Sequence, residues 1–567
     1  MLPESTPPTG SCLPPHTPHT LCNSLPRWED NVDLVTSRIE AVKLRTKAES
    51  TYHRFSIHPH VEKLSTIVLN ALGASKNQRC FLFPTARLAH EFRIHLETNV
   101  SGASCLVQNV TDIANVPVNH SLFAALFTTE LKDAMKFYIF AGCGISPRLA
   151  EICVQRAEGN FSQPLSLPQS NGDHCFGDYY VKHAPLSSPE AAKQALRTRF
   201  SGTFGGVNVR GVAGVTAEDV YLYSSGMHAI WQSYKLLQNV FGSSEKDVKV
   251  AHVNLLYCDI YKYVDLPGAP GHHFFTNETL DELETLLSTG TRTQPAVLAI
   301  YTDFPGNPHL LSTDIIRLHA LSNRYGVPLI VDESVGGFLN VQLLPYCDVV
   351  VSSLTKLFSG LANVLGGAML LNPSSLFYSR FKRTLEITYE DALFDHDALV
   401  LEMNSREYVQ RIAVTNRNAE MLSDMLYPLS RHGGARESVL EAVHYPKYRA
   451  RKNFDQVRNP LAGDAGLEET GYGFLLSVTF TSLEAAKAFY TSLQCYRTPT
   501  FGAIFTLATA WSAIAFPPDK MEWLEQHGVE EYLVRISVGM EDTEAILKCV
   551  RDALDVAQKN SAEACDC

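Results

Sequence analysis

The chain has 567 residues, 45% of them hydrophobic and 19% charged, more than one hydrophobic core organises, so several globular domains are expected. Its 48 Lys+Arg against 60 Asp+Glu give a net charge of −12, which argues against a general nucleic-acid or anionic-membrane binder. Thirteen scattered cysteines show no paired C-x-x-C or H-x-x-x-H spacing, so no metal site is expected, and reduced thiols in a cytoplasmic protein fit.

The N-terminus, MLPESTPPTGSCLPPHTPHT, lacks the basic start and apolar stretch of a secretion signal, and its Pro/Thr/Ser content predicts a disordered tail over 1–24. Residues 25–160 read as an N-terminal extension, with helical spacing over 61–72 (VEKLSTIVLNAL), a short strand at 79–84 (RCFLFP) and a mixed pattern over 122–140. No catalytic grouping is visible in this extension. A Pro/Ser/Asn/Gly-rich linker at 163–176 opens a large domain, 161–373, in which short strands alternate with helices. Strands are expected at 219–223, 248–256, 296–301, 328–331, 348–351 and 367–371, and helices at 226–241, 280–287 and 313–325. Strands apolar on both faces and separated by helices predict an α/β fold with a mostly parallel sheet covered on both sides. Residues 374–560 predict a smaller α+β domain, with long helices over 395–427, strands at 473–480 and 531–538, and a last helix over 542–558; a tail, 561–567, follows. The most apolar late stretch, 501–516, is interrupted by Thr and Ser and is too short to span a bilayer.

Ligands of parallel α/β sheets gather at the C-terminal strand ends, so the polar residues there are the candidates. Asp332 ends the strand of VPLIVDES, and a carboxylate buried there needs a cationic partner: a protonated ring nitrogen, or a plain loop cation. Lys356 follows DVVVSS, with Ser353 and Thr355 beside it; hydroxyls suit a phosphate ester and a desolvated lysine suits an imine, although strand-end lysines are often merely solvated. Ser225, Gly226 and Met227 open the helix GMHAIWQSYKLL, where exposed N–H groups make an anion site or an ordinary capped turn. Tyr257 can stack on a flat ring or simply face solvent. Asn307, in DFPGNPHL, can hydrogen-bond a ring oxygen or mark a turn. Arg535, in YLVRISVGMED, offers a planar fork to a substrate carboxylate or to a surface acid. Each signal is weak alone. Taken in order along one α/β pattern, they supply the parts of a pyridoxal 5′-phosphate (PLP) site.

These strings (YSSGMHAI, FPGNP, PLIVDES, DVVVSSLTK, GLANVLGGAML, VRISVGMED) resemble the Cys/Met-metabolism PLP enzymes of fold type I. The extension (SLPRWEDNV, YHRFSIHP, FLFPTA) is similar to fungal cystathionine γ-synthase-like proteins. The resemblance implies that Lys356 is the Schiff-base lysine and proton shuttle, that Asp332 pairs with the ring nitrogen and that Tyr257 stacks on the ring. It implies that Ser225, Gly226, Met227, Ser353 and Thr355 hold the phosphate, and that Asn307 and Arg535 bind substrate. The family's Tyr-x-Arg finds its nearest match at Tyr180-Val-Lys182, and its Ser-Leu-Gly substrate segment is Thr500-Phe-Gly502 here. A homodimer or homotetramer acting on small amino acids is implied. The implied reaction is γ-substitution on O-acetyl- or O-succinyl-homoserine. The alternatives are the same chemistry with a carbon or amine nucleophile in fungal specialised metabolism, a cystathionine or methionine lyase, and a non-catalytic PLP-fold binding subunit.

Overall fold

The computed structural model of the chain describes residues 2–36, 51–159, 185–242, 248–264, 266, 268–291, 293–515 and 527–565. A seven-stranded sheet stands at its centre, in the order His272–Phe275, Val250–Val253, Ile300–Asp303, Leu329–Asp332, Val349–Ser352, Gly367–Leu371 and Val220–Tyr223. All strands run parallel except Gly367–Leu371, which is antiparallel to both neighbours. The four-residue strands Val250–Val253, Leu329–Asp332 and Val349–Ser352 are buried throughout, as a sheet covered by helices on both faces requires. One covering helix, Gly226–Phe241, buries Met227, Ile230, Trp231, Tyr234 and Leu237 on one face. Each such side chain contributes about 1.5–3 kcal/mol by leaving water.

Two strands depart from expectation at their tips. The strand expected over 248–256 ends at Val253, because Asn254 turns left-handed (φ 57°), a conformation asparagine tolerates. The strand expected to stop at Tyr301 continues through Thr302 and Asp303, both buried although polar. The edge strand His272–Phe275 had no sequence expectation; its two histidines and two phenylalanines lack strand alternation.

The small domain carries a five-stranded sheet in the order Leu440–His444, Leu475–Phe480, Leu533–Ser537, Leu507–Ala510 and Tyr496–Arg497. The helices Tyr408–Leu426, Leu483–Ser492 and Thr543–Cys565 pack with it. The extension has its own antiparallel three-stranded sheet, with Phe123–Phe127 between Arg79–Phe83 and Cys105–Asn109. Among the described residues no helix is long and apolar enough to cross a membrane.

The expectation of a disordered tail over 1–24 is corrected. Cys12–Leu13 pairs with Cys22–Asn23, and Leu13 and Cys22 are fully buried against Leu361, Tyr496 and Phe505. Leu21 N–H donates to Ala362 O at 2.7 Å and Leu25 N–H to Arg497 O at 2.8 Å. Arg497 in turn donates to Pro26 O and Thr6 Oγ1, both at 2.8 Å. The Pro-rich segment has little structure of its own, but Leu361 and Ala362 of the large domain and Tyr496, Arg497 and Phe505 of the small domain supply its burial and hydrogen bonds.

Candidate active site

Register places the site. Ile300–Asp303 and Leu329–Asp332 pair so that Asp303 stands opposite Asp332, and Asp332 stands opposite Val351 on the strand that leads to Lys356. Three acids meet at these tips. Glu333 is absorbed by a buried ion pair, Arg210 Nη1 reaching both its oxygens at 2.7 and 2.8 Å. Asp332 Oδ1 accepts from Ser334 N–H at 2.8 Å, and burial pushes this carboxyl up to about 6, with Glu333 adding to the rise. Burial, then Asp332, also pushes Asp303 well above the carboxylate range. Asp303 Oδ2 accepts from Tyr257 N–H at 2.8 Å, and its Oδ1 is buried with no partner among the described residues.

Lys356 is buried, and its ammonium donates to Thr500 Oγ1 at 2.9 Å and to the Tyr52 hydroxyl at 3.4 Å. It also lies 4.5 Å from the centroid of the Phe501 ring. Burial, helped by the Arg535 and Arg54 charges and opposed by Tyr52, lowers its pKa from the usual lysine range. Gly502 presses on the lysine at φ +78°, and a Cβ there would stand 2.8 Å from Lys356 Cβ and 2.7 Å from Leu357 N. Arg535, on Leu533–Ser537, donates to Asn307 Oδ1 at 3.1 Å and to Pro499 O at 2.9 Å. It lies 4.7 Å from the Phe501 centroid, and burial pulls it down to about 10.

The turn at the start of the helix Gly226–Phe241 packs on Ser353, in the segment that leads to Lys356. A Cβ on Gly226 would meet Ser353 Cβ at 2.6 Å, so only glycine allows these two segments their approach. The Ser225 hydroxyl is already engaged: it caps the helix by accepting from His228 N–H at 3.0 Å and donates to Gly142 O at 2.7 Å. The Thr355 hydroxyl is likewise held by Gly366, donating to its carbonyl at 3.3 Å and accepting from its N–H at 3.0 Å. The Gly226 and Met227 N–H groups and Ser353 therefore remain the readiest anion donors of the predicted set.

The structure thus brings Lys356, Thr500, Arg535 and Asn307 together, and sets Asp332 beside Asp303, which joins it to Tyr257, on the strand adjacent to the one that leads to Lys356. Tyr180 and Lys182 lie outside the described residues.

The extension, in which the sequence shows no catalytic grouping, brings Tyr52 and Arg54 to the site. Arg54 donates to the Tyr257 hydroxyl at 2.5 Å and to Ile139 O at 2.9 Å, and pairs with Asp259 at 2.8 Å. Burial works against this guanidinium, but Tyr257, Asp259 and Tyr52 outweigh it and hold the charge. Sequence reasoning missed three residues here. Tyr52-His53-Arg54 is an intact Tyr-x-Arg, a signal that was available. Asp303 gave less warning, since its strand was expected to end two residues earlier.

The residues present fit PLP. Two buried carboxyls, one with an unpartnered oxygen, call for a cationic ring nitrogen. A buried low-pKa lysine suits an imine to an aldehyde, and the glycine turn suits a phosphate.

Comparison with known proteins decides the family. The model of Cys/Met metabolism PLP-dependent enzymes matches residues 215–555. This chain belongs to that family. It is a cystathionine γ-synthase-like PLP enzyme, and residues 60–146 match the N-terminal domain of fungal trans-sulfuration enzymes. A cystathionine gamma-synthase-like enzyme of Amanita muscaria is 37% identical, covering 98% of this chain and 99% of the relative. The cystathionine gamma-synthase of Neurospora crassa is 28% identical, covering 97% and 99%. An alanine racemase of Aspergillus violaceofuscus is 29% identical, covering 96% of both chains.

Proposed function

We propose that this PLP enzyme catalyses γ-substitution on an activated homoserine, O-acetyl- or O-succinyl-homoserine, with cysteine as the nucleophile and cystathionine as the product. The observation that carries this reading is the approach of a buried lysine of lowered pKa (Lys356) and a buried guanidinium (Arg535) to the same Phe501 ring, 4.5 and 4.7 Å from its centroid. A γ-substitution needs a base that can act twice on one amino acid, and a fork that holds its α-carboxylate still.

When bound, PLP supplies the electron sink that makes the substrate Cα–H acidic. Asp332 would face its ring nitrogen, Tyr257 its ring, Ser353 and the Gly226 and Met227 N–H groups its phosphate, and Lys356 its aldehyde carbon. Arg535 and Asn307 fix the substrate carboxylate. Lys356 Nζ would take the proton from substrate Cα, pass it to the bound cofactor and, as a free amine again, take one from Cβ while the ester departs from Cγ as its carboxylate. The incoming thiol would add at Cγ, giving its proton to that carboxylate, and the lysine would carry the two stored protons back to Cβ and Cα. Thr500 Oγ1 and the Tyr52 hydroxyl hold the ammonium between these transfers. Burial of Lys356, Arg535 and Asp332 keeps water from the reacting carbon.

A second reading keeps the chemistry and exchanges cysteine for a carbon or amine nucleophile. Its support is the greater identity to the Amanita muscaria enzyme than to the Neurospora crassa synthase, and Thr-Phe-Gly in place of Ser-Leu-Gly beside Lys356. Products formed from acetyl- and succinyl-homoserine with cysteine, sulfide, amines and carbon acids separate the two. Cystathionine as the main product supports the first reading, and an adduct formed only with a carbon acid or amine supports the second. Release of α-keto acid from cystathionine or methionine without any added nucleophile would overturn both in favour of a lyase.

A further inference from the structure

Three residues far apart in sequence meet at the seam between the large and small domains. His309 follows Asn307-Pro308 on the large-domain side; His444 ends the strand Leu440–His444; Glu530 precedes the strand Leu533–Ser537. One ligand atom from each, two imidazole nitrogens and a carboxylate oxygen, lies within 4.8 Å of the others. Glu530 divides its oxygens between the rings: Oε2 stands 2.7 Å from His309 Nε2, and Oε1 stands 3.8 Å from His444 Nε2. The ring centroids are 4.9 Å apart.

Hydrogen bonding alone accounts for only part of this arrangement. The His309–Glu530 contact is a good charge-assisted bond, but 3.8 Å to His444 is too long for one. His444 is completely buried, its Nδ1 has no partner among the described residues, and its Nε2 meets only the Thr479 hydroxyl at 2.8 Å as a hydrogen-bond partner. Two histidines and a carboxylate are a common ligand set for zinc and its neighbours, with a further position left to water. Metal–ligand bonds of about 2.0–2.2 Å bring adjacent ligands to roughly 3 Å, so the cluster must contract. Glu530, whose side chain is 37% exposed, is the member able to move.

We propose that His309, His444 and Glu530 form a binding site for a divalent transition-metal ion of the zinc class, which ties the two domains together. The site lies two residues from Asn307 and five from Arg535, the pair that faces substrate carboxylate in this reading. Ligands spaced this widely carry no sequence signal, which is why spacing alone suggested no metal.

The test uses the PLP-loaded enzyme dialysed against micromolar Zn²⁺, with retained metal measured by mass spectrometry. Wild type is expected to retain about one zinc per chain that depends on these ligands. His444→Gln and His309→Gln should each weaken that zinc by about tenfold or more, as should Glu530→Gln, an isosteric change at a half-exposed side chain that spares the fold. Zinc should also raise the thermal midpoint of wild type and not that of the variants. Because other side chains, cysteines included, can take zinc, the comparison between proteins is what decides. Equal retention in wild type and all three variants, or no retention in wild type, overturns the site. Neither result bears on γ-substitution, which the product analysis tests separately.

Discussion

Asp332 ends one fully buried strand and Lys356 lies in the turn that follows its neighbour, Val349–Ser352, whereas Tyr52 and Arg54 reach the site from an irregular turn some 200 residues from Tyr257, which Arg54 bonds. The first group is fixed by the sheet: once the strands are in register, the side chains at their ends have one place to go. The second group is fixed by what it binds. Arg54 sits in a buried knot with Asp259, Tyr257 and Ile139 O, and the turn takes its position from that knot. A site can therefore be rigid on one side through its backbone and on the other through a buried ion pair, and the two sides should fail differently.

The sheet side should break in chemistry. Lys356→Ala is expected to remove γ-replacement turnover by about 10²–10⁴-fold or more, since both proton transfers lose their carrier, while the thermal midpoint changes little. Product formation from acetylhomoserine and cysteine measures it, and retained turnover would refute the proposed mechanism. The turn side should break in stability. Arg54→Met takes one of two cations from the buried Asp259, leaving it Lys262 at 3.0 Å and the Tyr257 hydroxyl at 3.1 Å, at a cost of about 1.5–3 kcal/mol, whereas Arg54→Met with Asp259→Leu should recover part of that loss. Thermal unfolding of the two variants separates a structural knot from a residue needed only for turnover.

Asp332 sharpens the comparison through pH. Its folded pKa of about 6 lies above the ordinary aspartate value, so the folded protein holds this proton more tightly than the unfolded chain. The contribution is fully present below about pH 4 and is lost as pH rises through about 6, so this group makes the cofactor-free protein less stable across that window. Asp332→Asn should remove that slope from a plot of thermal midpoint against pH. A slope that survives the substitution would place the titration on Asp303. The smallest effect is expected at Thr500. Thr500→Val removes the acceptor 2.9 Å from the lysine, worth about 1 kcal/mol, and lowers the Lys356 pKa further. The acid limb of the activity profile should then move to lower pH.

What could be read in advance followed from periodicity. Short apolar strands between amphipathic helices gave the central sheet, and the strand-end rule pointed to Asp332, Lys356 and Ser225 through Met227 without any coordinates. The reading failed where tertiary contacts decide. Thr302 and Asp303 look like a loop because they are polar, yet they complete a buried strand. Residues 2–24 look disordered because proline and threonine dominate them, yet Leu13 and Cys22 are sealed against Leu361, Tyr496 and Phe505. The hydroxyls of Ser225 and Thr355 lie in the right stretch but are committed to backbone partners, which no spacing argument reveals.

Gly502 divides the freedom of its neighbours. A single methyl at that position would collide with the stem of Lys356, so divergence in what this enzyme accepts cannot enter there. Residues 500 and 501 meet the lysine through a hydroxyl and a ring. A lineage, or an engineer, that retunes the enzyme's appetite for one partner over another has those two letters to spell with and the third already written.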